Sequence, residues 1–233
     1  MKFSGWQKVS LNDYPKKISS VLFTSICNFD CPYCHNPDLI KPQPAPYGEE
    51  QVFAYLSERR NQIQALVISG GEPTLWEEDL LGFLGKTKQK FPTLLLKLDT
   101  NGSHPGFLER CLFKDPLDSG KPLIDFVALD YKSFRYDRLT DSPKEEWEKS
   151  LRLLHQFPTG EVRITMYPPF VPEVEFSSIA AHLSQFLIPA VAIQLYQPQP
   201  KTSAVAPYKR EVFERFQKTL RAFGLSVIIR PVP

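Results

Sequence analysis

Residues 65–90 read ALVISGGEPTLWEEDLLGFLGKTKQK. The run Leu66-Val67-Ile68 is short, apolar on both faces and rich in β-branched side chains, as a strand covered on two sides is. Gly70 and Gly71 interrupt it, and 77–90 carries a helical pattern. Strand, glycine turn and helix make one βα unit. The unit recurs: strands are expected at 19–24, 65–69, 94–100, 125–130, 162–166, 190–196 and 225–230, and helices at 48–61, 77–90, 106–113, 143–156, 175–186 and 207–223. In the fourth helix Ser142 is placed to cap the N-terminus and Pro143 to take the first helical position, with Trp147, Leu151 and Leu154 following at helical spacing. Strict alternation predicts an α/β protein with a parallel sheet, either doubly wound or barrel-like. Residues 2–9 add a small antiparallel piece.

The remaining composition narrows the class. A chain of 233 residues with 42% hydrophobic and 23% charged residues is that of an ordinary globular protein, which excludes a disordered or fibrous one. With no repeat and no low-complexity divider, one domain is the simpler reading. The prolines cluster in 41–47, 167–172 and 198–207, which marks those stretches as loops. Twenty-eight Lys and Arg against 26 Asp and Glu leave +2, too little to argue for gripping nucleic acid or an anionic membrane. Lys209, Arg210, Arg215, Lys218 and Arg221 alternate with Glu211 and Glu214, the pattern of a solvated helix face. No apolar run approaches the ~18 residues of a membrane span, and no signal-peptide core is visible, so a cytoplasmic location is expected.

Three of the four cysteines lie within eight residues, in Cys27-Asn28-Phe29-Asp30-Cys31-Pro32-Tyr33-Cys34, directly after the first strand of the βα succession. Soft thiolates select zinc or an iron–sulfur cluster over hard cations. A closed zinc site needs a fourth ligand, and the adjacent His35 is awkward for it. Three thiolates on a four-iron cluster would leave one iron open to a ligand. Cluster, zinc and thiol redox chemistry of the Cys31 and Cys34 pair all remain open on spacing alone. Cys111, beside Leu112 and Phe113, reads as a packed core thiol.

Other unusual residues fall at strand C-terminal ends, the edge where α/β folds bind ligands. Gly70-Gly71-Glu72-Pro73 lets a backbone approach a ligand closely. Asp99-Thr100-Asn101-Gly102 combines an Asn-Gly turn with two residues facing the cleft. Asp130 and Lys132, two apart on a strand, point to one side, as an ion pair or as site residues. Arg163 is a charge in an inner strand, able to offer a fork to a carboxylate or to pair with a site aspartate. No Ser-His-Asp or Cys-His arrangement is evident among these residues.

Cys-x3-Cys-x2-Cys with Tyr33 before the last cysteine resembles the signature of the radical S-adenosylmethionine (SAM) enzymes. Within them, Asp13-Tyr14-Pro15, Cys27 to Pro37, Ser69 to Leu75, Asp99 to Gly102 and Asp130-Tyr131-Lys132 resemble the activating enzymes of glycyl radical enzymes. The likeness is greatest to the activating protein of anaerobic ribonucleoside-triphosphate reductase, in a longer form that also resembles pyruvate formate-lyase activase. It runs in order from about Trp6 to about Lys201.

The resemblance implies a partial (β/α)6 barrel with a core at about 17–200 and terminal extensions packed on it, all within one domain, 1–233. It implies that Cys27, Cys31 and Cys34 ligate a [4Fe-4S] cluster whose fourth iron takes SAM, and that Gly70, Gly71 and Glu72 bind the amino end of its methionine. Asp99 and Thr100 then contact the methionyl group and Asp130 and Lys132 the ribose, while the Arg163 fork stays open to the methionyl carboxylate or to a site aspartate. An electron from flavodoxin or ferredoxin would cleave SAM to methionine and a 5'-deoxyadenosyl radical, which would take hydrogen from a glycine of the partner enzyme. With only Cys111 left over, auxiliary clusters are excluded. Departures are Ile26 before Cys27 and Lys16 after Asp13-Tyr14-Pro15, both where glycine is common, and Gln197 and Gln199 where pyruvate formate-lyase activase has an adenosine-contacting histidine. The rivals are a radical enzyme acting on a small heterocycle or peptide and a non-enzymatic zinc-binding module.

Overall fold

The computed structural model describes residues 1–113, 120–132 and 139–230. Two short strands, β1 (Lys2–Phe3) and β2 (Gly5–Ser10), precede β3 (Ser19–Thr24), the first strand of the βα succession. There follow β4 (Tyr47–Gly48), α1 (Glu49–Glu58), β5 (Ala65–Gly70), α2 (Glu77–Lys90), β6 (Leu95–Thr100) and α3 (Pro105–Phe113). The second half holds β7 (Phe126–Tyr131), α4 (Lys144–Leu153), β8 (Thr159–Met166), α5 (Phe176–Leu183), β9 (Val191–Leu195), α6 (Arg210–Ala222) and β10 (Val227–Arg230).

Strand order decides between the two expected architectures. The main sheet runs β10-β9-β8-β7-β6-β5-β3-β2, and β3 to β10 are parallel, with β2 antiparallel at the edge. Each crossover steps in the same direction, so right-handed connections put every helix on one face. A doubly wound sheet would reverse direction at a switch point. This one never does. It is a partial barrel, with β2 and β10 as unjoined edges and, among the described residues, a concave face free of α-helices.

Side-chain alternation follows from that layout. Leu66 and Ile68 of β5, Leu96 and Leu98 of β6, and Val127 and Leu129 of β7 pack into the large core under the helices, with Leu80, Leu84, Phe107 and Trp147. Ala65, Val67, Phe126 and Ala128 face the other way and join Val21 and Tyr14 in a second, small core at the barrel floor. Strands buried on both faces therefore read as unbroken apolar runs. Above that floor the concave face turns polar, at Lys97, Asp99, Asp130 and Arg163.

One expected cap is not formed. Pro143, at φ −61° and ψ 141°, precedes a helix that starts at Lys144, and no side chain caps it. The Ser142 hydroxyl is occupied elsewhere, accepting from Asn28 Nδ2 at 3.3 Å and from the Thr140 hydroxyl at 3.2 Å.

Candidate functional site

The cysteine loop leaves β3 through Ser25 and Ile26, and its backbone is tied at several points. Cys27 N–H donates to Ile40 O at 3.1 Å and Cys34 N–H to Cys31 O at 3.1 Å. Phe29 and Tyr33 are the loop's buried anchors. Tyr33 packs on Tyr167 and Phe170 with ring centroids 4.8 and 5.6 Å away. The apolar members turn inward, and the three half-buried thiols line the cavity wall.

Ile26 takes φ +71°. That conformation belongs to glycine; for a β-branched residue it is strained. In it the Ile26 carbonyl accepts from Glu72 N–H at 2.8 Å, while Gly71 N–H donates to Thr24 O at 2.9 Å. A Cβ on Gly71 would lie 2.2 Å from Ile26 O, and one on Gly70, itself at φ +125°, would lie 2.2 Å from Thr24 O. Gly70 is thus required by contact with the end of β3, and Gly71 by contact with the backbone of the cysteine loop.

Glu72 is fully buried, and its carboxylate faces protein. Oε1 accepts from Thr74 N–H at 3.1 Å, from the Thr74 hydroxyl at 2.6 Å and from the Thr100 hydroxyl at 2.7 Å; Oε2 accepts from Asn101 N–H at 2.6 Å. It clasps the turn after β5 to the turn after β6. Burial raises its carboxyl above the usual range, only partly offset by the bond from Asn101 and those from the threonines.

Across β6, β7 and β8 the concave face carries an alternating row of charges. Lys97 Nζ donates to Asp99 Oδ1 at 2.7 Å, Arg163 Nη1 to Asp99 Oδ2 at 3.1 Å, Arg163 Nε to Asp130 Oδ1 at 2.5 Å, and Lys132 Nζ to Asp130 Oδ2 at 2.9 Å. Burial would raise both aspartates, but Lys97 and Arg163 outweigh it at Asp99, and Arg163 with Lys132 at Asp130, holding each carboxyl low. The Arg163 fork therefore bridges two aspartates, the second of the two roles its sequence position suggested. Glu161, two residues before it and on the same face, pairs with Arg230 of β10.

All eleven residues singled out from sequence line one cavity of about 650 Å³: Cys27, Cys31, Cys34, Gly70, Gly71, Glu72, Asp99, Thr100, Asp130, Lys132 and Arg163. Gln197 and Gln199 line it as well, and it extends from Gln7 on one sheet edge to Arg230 on the other. Sequence reading passed over Lys97 and Glu161. Each stands two residues from a recognised charge on the same face, the signal that had marked Asp130 with Lys132. Asn28 and Asn101, hydrogen-bonded to each other at 2.9 Å beside Cys27, carried no such signal. Cys111 is buried in α3, as a core thiol is.

The donor set fits an iron–sulfur cluster. The three thiols are free of disulfides, and burial pushes Cys27 up to about 12 and Cys31 to about 11, so these two keep their protons until a cation displaces them. Among the described residues no three His, Cys, Asp or Glu side chains converge on a single ion position. The Gly70 and Gly71 backbone bordering the same cavity leaves a side-chain-free wall for a cofactor.

Comparison with known proteins agrees with this arrangement. The radical SAM superfamily profile matches residues 21–183. A Methanocaldococcus jannaschii protein, provisionally named a glycyl-radical enzyme activating enzyme, is 36% identical over 183 residues, covering 73% of this chain and 69% of that protein. Among solved structures, a radical SAM methyltransferase from Sphaerobacter thermophilus superposes with a TM-score of 0.68 at 13% identity, over 94% of this chain and 67% of that one. A domain of pyruvate-formate lyase-activating enzyme from Bacteroides vulgatus gives 0.52 at 19% identity, over 70% and 96%. At these identities the structural matches speak for the fold alone.

Proposed function

Because the chain belongs to the radical SAM superfamily, whose members use SAM and a [4Fe-4S] cluster, we propose that it activates a glycyl radical enzyme, with anaerobic ribonucleoside-triphosphate reductase as the target. The observation that carries this reading is the extended identity to the M. jannaschii protein and its name. Cys27, Cys31 and Cys34 hold the cluster. Gly70 and Gly71 present their backbone to the amino end of SAM, Asp99 and Thr100 border its methionyl group, and Asp130 and Lys132 border the ribose. Glu72 and Arg163 act one step back: the first clasps two ligand-bearing turns together, the second fixes both aspartates as anions.

Bound there, the cofactors supply reductive cleavage of the sulfonium and removal of a hydrogen atom from a glycine Cα. The chain's own contribution is orientation and exclusion of water, through a buried charge row and an apolar floor. The gap between the unjoined edges β2 and β10 is the entry for the partner's glycine segment, and flavodoxin or ferredoxin supplies the electron. We take 1–233 as one domain with its core at about 17–200. Among the described residues no helix is long and apolar enough to cross a membrane, in keeping with a cytoplasmic site of action.

Anaerobic reconstitution with iron and sulfide, followed by SAM and dithionite, tests the reading by electron paramagnetic resonance. A glycyl radical signal is expected when anaerobic ribonucleotide reductase is present and none when it is omitted. SAM cleavage without that signal would reject the activase assignment and leave a radical enzyme acting on a small heterocycle or peptide, recognisable by 5'-deoxyadenosine release with such a substrate and no partner.

A further inference from the structure

Asn101 makes the turn that its Asn-Gly sequence suggests, and the turn accounts for its side-chain oxygen but not for its side-chain nitrogen. The residue is buried, and its main-chain N–H is held by Glu72. Its Oδ1 accepts from Ser103 N–H at 3.0 Å, which fixes the amide's orientation, since a flip would set donor against donor. Of the two hydrogens on Nδ2, one goes to Asn28 Oδ1 at 2.9 Å; Asn28 is itself held through its own Nδ2 by Ser103 and Ser142. Nδ2 also lies 3.9 Å from Cys27 Sγ, and Phe29 N–H reaches the same sulfur at 3.4 Å.

We infer that Asn101 is a positioning residue that, with Phe29 N–H, hydrogen-bonds the Cys27 sulfur and raises the reduction potential of the cluster the three cysteines hold. The inference rests on the cysteine ligation proposed above. Reduction adds one electron, from a low-potential flavoprotein or iron–sulfur carrier, and part of the added charge resides on the thiolates. N–H donors aimed at a sulfur stabilise that reduced form, a known lever on cluster potentials.

The test compares wild type with Asn101→Ala and Asn101→Asp after reconstitution. The readouts are iron and sulfide per chain, the thermal midpoint, and the midpoint potential from a redox titration followed by electron paramagnetic resonance. Asn101→Asp keeps the acceptor for Ser103 and replaces the donor toward sulfur by a carboxylate oxygen. With cluster content retained, the potential is expected to move negative in Asn101→Ala and further in Asn101→Asp. Unchanged potentials in both would overturn the inference. Should both variants lose the cluster, wild type labelled with 15N in the asparagine side-chain amide decides: pulsed resonance of its reduced cluster shows a weakly coupled nitrogen, and the absence of that coupling refutes the proposal. A wild-type chain that assembles no four-iron cluster removes the cysteine reading and this inference with it.

Discussion

Ile26 and Lys16, the two positions where the resemblance leads glycine to be expected, are also the two non-glycine residues with positive φ among the described residues, +71° and +60°. The backbone has kept the glycine conformation without the glycine. For an L-residue this region costs about 1–2 kcal/mol, and a branched Cβ lies at the upper end. Glycine would remove the strain but add roughly 0.5–1 kcal/mol of unfolded-chain entropy. Ile26 is 36% exposed, so most of its side chain is covered and glycine would also give up roughly 1–2 kcal/mol of burial. Ile26→Gly is therefore expected to leave the cofactor-free chain no more stable than wild type, whereas exposed Lys16→Gly stabilises it by about 0.5–1 kcal/mol, read as a higher urea midpoint at constant slope. A lower midpoint for Lys16→Gly would mean that the strain of its positive φ is smaller than the unfolded-chain entropy glycine adds. Gly71→Ala goes the other way: with its Cβ 2.2 Å from Ile26 O and 2.8 Å from Leu39 O, backbone must move, and the cysteine loop moves with it. Its expected signature is lower iron content after reconstitution, with the helical circular dichroism unchanged.

The turns after β5 and β6 reach the cavity as one piece because Glu72 joins them. Glu72→Gln tests that joint without changing its size. Whichever way the new amide is placed, its NH2 meets a buried backbone donor, Thr74 N–H on one side or Asn101 N–H on the other. Leaving one such donor unsatisfied costs about 1–3 kcal/mol, so the thermal midpoint falls, and SAM affinity falls with it because Thr100 and Asn101 lose their anchor. A midpoint within error of wild type would place a water at the joint instead. Elements of this kind separate what was legible in the sequence from what was not. The βα succession was legible because unbroken apolar runs, punctuated by Gly70 and Gly71 or by Asn101 and Gly102, carry their period locally. The partial barrel followed once a family resemblance was added. Ser142, by contrast, looks like a cap in one dimension and is a partner of Asn28, 114 residues away, in three. The carboxylate partners of Glu72 were illegible for the same reason: only the fold brings Thr100 and Asn101 to it.

At the scale of the whole molecule, a sheet wound in one direction leaves its concave face without helices, and the chain fills that face with charges that neutralise one another. Asp99 and Asp130 titrate below the ordinary aspartate value of 3.8, and Glu72 above the ordinary glutamate value of 4.5. The signs differ. A lowered carboxyl contributes stability that is present above its unfolded pKa and lost as pH falls through its folded one; a raised carboxyl contributes stability present below its unfolded pKa and lost as pH rises through its folded one. On acidification from neutrality the cofactor-free chain should first gain a little as Glu72 takes its proton, then lose stability below about pH 4 as the aspartates take theirs. Surface Glu49 and Glu148, lowered as well, deepen that acid limb slightly. Two variants dissect the curve in urea titrations from pH 3 to pH 8. Glu72→Gln is expected to erase the gain on the neutral side. Asp130→Asn leaves Arg163 and Lys132 short of an anion, which lowers the neutral plateau by about 2–3 kcal/mol and flattens the acid limb, so that its curve approaches wild type at low pH. Parallel curves for Asp130→Asn and wild type, offset by the same amount at every pH, would show that the carboxylate contributes through packing and not through the charge row.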